Sequence, residues 1–321
     1  MTDKKIPRAR VSDFRPVGGA AAALGRRTSR QAPEAPVAAR KASTKPTRVV
    51  VPYFGNDDDT PMIQMLKATR PAADNFRTGD NIHVSDVIKR CVRKIALMRR
   101  MNMKHPSETI MDGQGITFAI GDAVHDYVKG RFIKGHPGAV YARWSCACGT
   151  TTHDGTFSSR PKPECPQCGL AVDKHNEISY IHPEYRLKGT PDLLLWLDQY
   201  AAIFVCELKS MAAEMFKELV RPIPDHTVQV ALYWHILKHL KIPVVDRVSL
   251  VYVNKEYSFK LPYKEFMVDP TKVDLSPYWE DLEALKEADE GGALPLRTMC
   301  GSPSAPEAKK CPVCVTCFGS S

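Results

Sequence analysis

Two short motifs in the second half of this chain constrain its fold more than any other feature of the sequence. Gly-Thr-Pro-Asp ends at Asp192, and Glu-Leu-Lys runs from Glu207 to Lys209. Each lies beside a short apolar run bounded by polar or turn residues, as expected of a buried strand. Glu207 and Lys209 are two residues apart, so on a strand they face the same side of the sheet. We therefore expect a hairpin with its turn at 198–200.

A pair of carboxylates beside a lysine is suited to phosphodiester chemistry. Carboxylate oxygens are hard ligands for Mg²⁺ or Mn²⁺. Such a metal lowers the pKa of a bound water and offsets the charge of a phosphate. The compact charge of Lys209 can orient that water or stabilise the transition state. Glu-x-Lys alone also occurs on ordinary surface strands, and the preceding Asp192 at this separation makes the pattern specific.

A helix expected at about 116–134 is the source of a third ligand. His125 lies beside the apolar face of this helix, and it either points at the metal or is a packed or surface histidine. Asp122 and Asp126 are either alternative ligands or solvated residues, and the solvated interpretation is favoured. The apolar face is formed by Ile120, Val124, Val128 and Phe132.

A second helix, expected at about 226–240, carries a polar pair. Gln229 and Tyr233 are four residues apart and therefore share one face of the helix. His226, one turn earlier, either joins that face or is a surface residue at the helix start. Further helices are expected at about 84–103 and 276–289, and strands at about 177–187, 190–198, 202–209, 247–254 and 257–262.

In this order, Gly121-x-x-x-His125, Gly-Thr-Pro-Asp192, Glu207-x-Lys209 and Gln229-x-x-x-Tyr233 resemble the successive motifs of RecB-like nucleases in the PD-(D/E)xK superfamily. The resemblance spans roughly residues 81–318. It implies a restriction-endonuclease-like α/β fold, with a mixed sheet flanked by helices. It implies that His125, Asp192 and Glu207 bind Mg²⁺ or Mn²⁺. It also implies catalytic roles for Asp192, Glu207, Lys209, Gln229 and Tyr233, the last two in contact with DNA.

The ten cysteines give an independent argument. The N-terminus does not look like a signal peptide, and no apolar run has the length of a membrane span. We therefore expect a cytoplasmic protein without a membrane partner, in a reducing compartment where clustered cysteines indicate metals rather than disulfides.

One cysteine cluster predicts a zinc site. Two close pairs joined by a loop rich in Gly, Pro and Ser suit a tetrahedral Zn²⁺ ion. The cluster lies between His125 and Asp192, so it is expected to form a zinc ribbon inserted into the domain at 144–170. Disulfides are the alternative, and His153 or His175 are less well spaced substitutes as ligands. The pairs are Cys146 with Cys148 and Cys165 with Cys168.

The other cluster combines Cys91 with the C-terminal segment 300–317. This layout resembles the iron–sulfur exonucleases of CRISPR adaptation and their phage relatives. The resemblance implies a structural [4Fe–4S] cluster held by Cys91 and three later cysteines. We favour Cys300, Cys311 and Cys317, with Cys314 as the alternative; the rival set is Cys311, Cys314 and Cys317. Zinc is the alternative metal for this site. Alternatively, Cys91 is a buried helix residue that binds no metal. Cys206, inside an apolar strand, is expected in the core.

Charge divides the chain into unlike parts. Residues 1–50 contain 12 Lys or Arg and 3 Asp or Glu, which accounts for the whole net charge of +9. We expect this segment to be a disordered basic tail that binds DNA, binds an acidic partner, or does neither. A linker at 51–80 and the domain at 81–321 follow. The chain has no Gly-x-x-x-x-Gly-Lys-Ser/Thr loop, so no accompanying ATPase is expected.

These features predict a metal-dependent DNA nuclease, with the family favouring an exonuclease on single-stranded ends. Replication, recombination and repair all suit such an activity, and proteins of those processes are the expected partners. A phage source, with the host cytoplasm as location, rests on the resemblance. A structure-selective endonuclease and a non-catalytic DNA-end-binding module remain the alternatives.

Overall fold

The computed structural model describes residues 81–89, 91–103, 112–136, 138–149, 151–152, 164–165, 167–170, 172, 174–256 and 262–319. The expected tail at 1–50 and linker at 51–80 lie outside these residues. Among the helices in the described ranges, none combines the length and the apolar character needed to cross a membrane.

Within the described residues, seven consecutive strands separate the first three helices from the later ones. The strands are β1 (Ile82–His83), β2 (Arg143–Ser145), β3 (Thr151–Thr152), β4 (Lys174–Asn176), β5 (Tyr180–His182), β6 (Leu187–Gly189), β7 (Leu193–Leu197), β8 (Ala202–Met211), β9 (Val244–Asn254) and β10 (Tyr263–Val268). The helices are α1 (Val84–Ile88), α2 (Val92–Arg100), α3 (Asp112–Gly135), α4 (Ala213–Glu218), α5 (Pro224–His239), α6 (Ser276–Asp289), α7 (Pro306–Lys309) and α8 (Cys314–Gly319).

The largest sheet has the strand order β10-β9-β8-β7 and is mixed. The strands β8 and β9 are parallel, whereas β7 and β10 pair antiparallel to their neighbours. The expected hairpin is confirmed: a 3₁₀ turn at Asp198–Tyr200 joins β7 to β8, and Ala201 closes it with a φ of 44°. Two smaller sheets have the orders β1-β6-β5 and β3-β2-β4.

The two faces of β8 bury different sets of side chains, because successive residues of a strand point to opposite sides. Ile203 and Val205 pack in the main core with α5. Cys206 belongs to a second core under β2, which confirms its expected burial. Leu208 packs against Val128 of α3. Helices therefore cover both faces of the sheet, and the chain has the expected mixed α/β architecture.

Several expected boundaries changed. The single strand expected at 177–187 is the pair β5 and β6, divided by a turn in which Arg186 has a φ of 54°. The helix expected at 84–103 is broken into α1 and α2. Residues 257–261 of the last expected strand lie outside the described residues, and β10 begins at Tyr263.

The expected apolar face of α3 is only partly correct. Val128 is buried and Val124 packs beside it, but Ile120 and Phe132 are exposed, at 45% and 37%. The helix crosses β8 over a short length, so the apolar stripe is covered only near its middle. Gly121 lies at this crossing, because a Cβ atom on it would be 3.3 Å from Oγ of Ser210 on β8.

Candidate active site and metal centres

The pairing of β7 with β8 places the two motif carboxylates opposite each other. Leu193 pairs with Cys206 in an antiparallel register. Asp192, which precedes Leu193, therefore lies opposite Glu207, which follows Cys206. The backbone N–H of Asp192 donates to Oε2 of Glu207 at 3.3 Å. In return, the backbone N–H of Leu208 donates to Oδ2 of Asp192 at 2.8 Å. The two carboxylates are thus fixed by the strand register itself.

Glu207 is the most buried member of the group, with 3% of its surface exposed. Its Oε1 atom accepts two hydrogen bonds of 2.8 Å, from Nζ of Lys209 on the same strand and from Nε2 of Gln229 on α5. Burial, followed by the charge of Asp192, raises the pKa of Glu207 to about 8, although Lys209 opposes the increase. The carboxyl group therefore holds a proton far more readily than an exposed glutamate.

Asp192 behaves in the opposite way. Burial alone would raise its pKa, but the hydrogen bond and charge of His125, the N–H of Leu208 and the charge of Lys209 together hold the pKa below its ordinary value. Nδ1 of His125 lies 3.5 Å from Oδ1 of Asp192. Neighbouring carboxylates with pKa values pushed apart are typical of catalytic sites.

Of the candidate ligands on α3, His125 is the one that contacts Asp192. It has 22% of its side chain exposed, whereas the side chain of Asp126 is 79% exposed. Imidazole nitrogen and two carboxylates, brought together from α3, the start of β7 and β8, are a donor set that suits Mg²⁺ or Mn²⁺. The ligand atoms of these three side chains do not all lie within 4.8 Å of one another, so holding one ion would require them to move closer together. The ammonium group of Lys209 provides the positive charge beside Glu207.

The polar face of α5 completes the group. Gln229 donates to the Tyr233 hydroxyl at 2.7 Å, as two residues one turn apart should. Tyr233 is 6% exposed, and its ring lies against Gly189 at the end of β6. A Cβ atom on Gly189 would be 2.7 Å from Cδ1 of that ring, so the first residue of Gly-Thr-Pro-Asp has to lack a side chain.

Cys146, Cys148, Cys165 and Cys168 form a compact set of thiols. Sγ of Cys146 lies 3.4 Å from Sγ of Cys168, and the other pair is 3.7 Å apart. Sulfur atoms around a tetrahedral zinc ion are about 3.8 Å apart. Gly149 and Gly169, with φ values of 88° and 70°, make the tight turns after each cysteine pair. The four cysteines can bind a metal ion, and within the described ranges no other His, Cys, Asp or Glu group has all its ligand atoms within 4.8 Å of one another.

The module that carries the compact thiol set extends slightly beyond the predicted segment 144–170. Strand β2 pairs with β3 on one side and with β4, which ends at Asn176, on the other. His175 packs edge-on against Trp144, and the alternative ligand His153 lies outside the described residues.

The second group of cysteines lines one small pocket between α2 and the C-terminal segment. Burial raises the pKa of Cys91, with added contributions from Cys311 and Cys317. Burial also raises the pKa of Cys300, with the thiol of Cys91 as the next contribution, followed by Cys311. Cys314 is also on the wall of the pocket, with Sγ 4.0 Å from the carbonyl oxygen of Pro303.

The spacing of these thiols differs from that of the compact set. In the described part of the chain, no three of them have sulfur atoms within 4.8 Å of one another. The compact set and this wider set are therefore two distinct arrangements of thiols.

The comparisons with known proteins return structures alone. No protein-family model matches the chain, and no curated protein matches it. The solved structures include SSO0001, with 14% identity, a TM-score of 0.36 and coverage of 75% of this chain and 86% of that one. An alkaline exonuclease, LHK-Exo from Laribacter hongkongensis, has 12% identity, a TM-score of 0.41 and coverage of 71% and 93%. Its complex with dAMP has 12% identity, a TM-score of 0.38 and coverage of 66% and 89%.

Two charged residues near the site were missed in the sequence. Nζ of Lys129, on the same face of α3 as His125, lies 2.8 Å from Oε1 of Glu177. The charge of Asp192 acts on Lys129, and the charge of Glu177 acts on Tyr233, so both residues border the site. The signal available in the sequence was the i, i+4 spacing of Lys129 from His125.

Proposed function

We propose that this chain is a metal-dependent DNA nuclease of the PD-(D/E)xK superfamily, with a restriction-endonuclease-like fold, that trims single-stranded ends. Glu207 carries the proposal: its carboxylate is 3% exposed, is shared by Lys209 and Gln229, and lies against Asp192. Burying neighbouring carboxylates costs free energy, and an apolar pair would fill the same space without that cost. Such a cost is typical of residues retained for chemistry.

His125, Asp192 and Glu207 are the residues that would hold Mg²⁺ or Mn²⁺. When bound, the ion would lower the pKa of a water molecule and offset the charge of the phosphate and the leaving 3′-oxygen. The residues of the chain supply the rest. Lys209 carries the ammonium group that orients the attacking water, while Gln229 and the N–H of Leu208 fix the two carboxylates by hydrogen bonds of 2.8 Å.

We assign the compact thiol set, Cys146, Cys148, Cys165 and Cys168, to Zn²⁺ because its sulfur spacings of 3.4 and 3.7 Å suit that ion. We assign the wider set to a structural [4Fe–4S] cluster. The thiols of Cys300, Cys311 and Cys317 each interact electrostatically with Cys91, and Cys314 stays the alternative. The proposed setting is replication, recombination or repair in the cytoplasm.

Strand cleavage tests the proposal. Linear single strands labelled at the 5′ or the 3′ end are incubated with anaerobically purified protein and Mg²⁺ or Mn²⁺. We expect trimming that Lys209→Ala reduces about 100-fold or more. Lys272→Ala, at a lysine that is 81% exposed and paired only at the surface, is the matched control and should cleave normally.

Other substrates separate the alternatives. Cleavage of circular single-stranded DNA would favour the endonuclease, and RNA strands test the choice of nucleic acid. A folded, metal-loaded protein that binds DNA ends yet cleaves no strand would refute the nuclease and favour the end-binding module.

A further inference from the structure

A hydrogen-bonded chain beside the candidate active site joins α5 to the core of the sheet. Tyr252 of β9 is fully buried, at 0% exposure. Its hydroxyl oxygen lies 3.0 Å from the backbone nitrogen of Ile223 and 3.0 Å from Nδ1 of His226. His226 precedes Gln229 by one turn of α5, and Gln229 donates to Glu207. The imidazole ring is thus held on the helix face that carries the site.

The partners of the hydroxyl assign the proton on the imidazole. The N–H of Ile223 is a donor only, so the Tyr252 oxygen accepts from it. Within the described residues, the remaining hydrogen-bond partner of that hydroxyl is Nδ1 of His226. The hydroxyl hydrogen therefore goes to Nδ1, which acts as an acceptor, and the neutral ring carries its own hydrogen on Nε2. Burial, followed by the charge of Lys209, lowers the pKa of His226 to about 4, consistent with a neutral ring.

The Nε2–H group has no acceptor among the described residues. It lies across the ring from Nδ1, on the side away from Tyr252. It is also not a buried atom, since the buried side-chain atoms without a partner in the described residues are Arg93 Nε, Tyr180 Oη and His182 Nδ1. Nε2–H is therefore open to solvent, and Lys209 is close enough for its charge to act on the ring.

We propose that His226 contacts the substrate backbone, donating its Nε2–H to a non-bridging oxygen of a phosphate next to the one that is cleaved. This inference rests on the proposed function. A phosphate oxygen accepts hydrogen bonds from neutral donors as well as from cations, and such contacts fix the register of a strand without reading its bases. The bond to Tyr252 orients the ring in advance, so little side-chain freedom is lost on binding.

Two substitutions separate the donor from the buried bond. Asparagine has an acceptor near the place of Nδ1 and nothing near that of Nε2, so His226→Asn keeps the bond to Tyr252 and loses the donor. Glutamine reaches the place of Nε2 with an N–H group. We expect His226→Asn to melt like the wild type, to bind a labelled single strand about tenfold more weakly, and to raise KM with little change in kcat. His226→Gln should recover most of the binding.

A walk of methylphosphonate linkages tests the acceptor. One non-bridging oxygen is replaced at a time along the strand, and binding is measured without added divalent ions. At one linkage, the replacement should weaken wild-type binding about tenfold and leave the binding of His226→Asn unchanged. At every other linkage, it should weaken the binding of both proteins equally. The inference is overturned if folded His226→Asn protein binds the strand and has a KM like the wild type. It is also overturned if the two proteins lose the same binding at every methylphosphonate linkage. If the wild type shows the linkage effect but cleaves no strand, the nuclease proposal fails while the phosphate contact stands.

Discussion

Replacing Glu207 with glutamine should make the metal-free protein relatively more stable as the pH rises. The wild-type carboxyl group has a folded pKa of about 8 and an ordinary pKa of 4.5, because burial and Asp192 disfavour its charge. A pKa raised by folding contributes stability that is fully present below 4.5 and is lost as the pH rises toward 8. Glutamine does not titrate, so E207Q lacks this loss.

The size of the effect follows from the width of that window. Each pH unit between the two pKa values is equivalent to about 1.4 kcal/mol. Between pH 5 and pH 8, the wild type should therefore lose roughly 3 kcal/mol of unfolding free energy relative to E207Q. A constant offset is also expected, because the glutamine amide nitrogen cannot accept from the N–H of Asp192. The change of the difference with pH, rather than its value at one pH, is diagnostic.

Urea denaturation at pH 5, 6, 7 and 8 without Mg²⁺ measures this difference. Glu283→Gln, at a carboxylate that is 58% exposed, is the matched control and should show no such trend. Adding Mg²⁺ at pH 8 should restore stability to the wild type and leave E207Q unchanged, since ion binding needs the ionised carboxylate. A difference that stays constant from pH 5 to pH 8 would show that Glu207 is charged in the metal-free protein and would refute the reasoning.

Three further outcomes follow from the geometry. Gly189→Ala should destabilise the protein by about 1–3 kcal/mol and reduce kcat, because its methyl group would lie 2.7 Å from the Tyr233 ring; melting curves and single-turnover rates measure both. Cys148→Ser should lower the zinc content measured by elemental analysis, because its Sγ lies 3.7 Å from that of its partner thiol in the compact set. Cys300→Ser should lose the iron and its visible absorbance, whereas Cys314→Ser should keep both, and the reverse result would favour the rival ligand set.

The sequence predicted the centre of the site because its key contacts are local or follow from strand register. Glu207 and Lys209 share a face by alternation, and Gln229 and Tyr233 share a face by helical spacing. The short turn after β7 then leaves one antiparallel register, in which Asp192 meets Glu207. Periodicity alone therefore identified four of these residues as neighbours within their own elements.

Periodicity could not identify contacts between distant elements. The partners Lys129 and Glu177 are 48 residues apart, and their pairing depends on the path of the inserted module. The exposed Ile120 had the same helical spacing as the buried Val128, because spacing defines a face but not the length over which a neighbour covers it. The hydroxyl of Tyr252, in an apolar strand, gave no sign of its bond to α5.

The thiol module is joined to the site by packing as well as by the chain. Leu193 and Cys206, the neighbours of the two carboxylates in the strand pair, belong to the same buried cluster as Trp144 and Cys146. On its other side, β4 leads directly to Glu177, which holds the α3 helix through Lys129. Loss of the module's fold would therefore disturb both the strand end that carries Asp192 and the helix that carries His125. A module that only gripped DNA would need neither connection, so this packing favours a structural role for its metal.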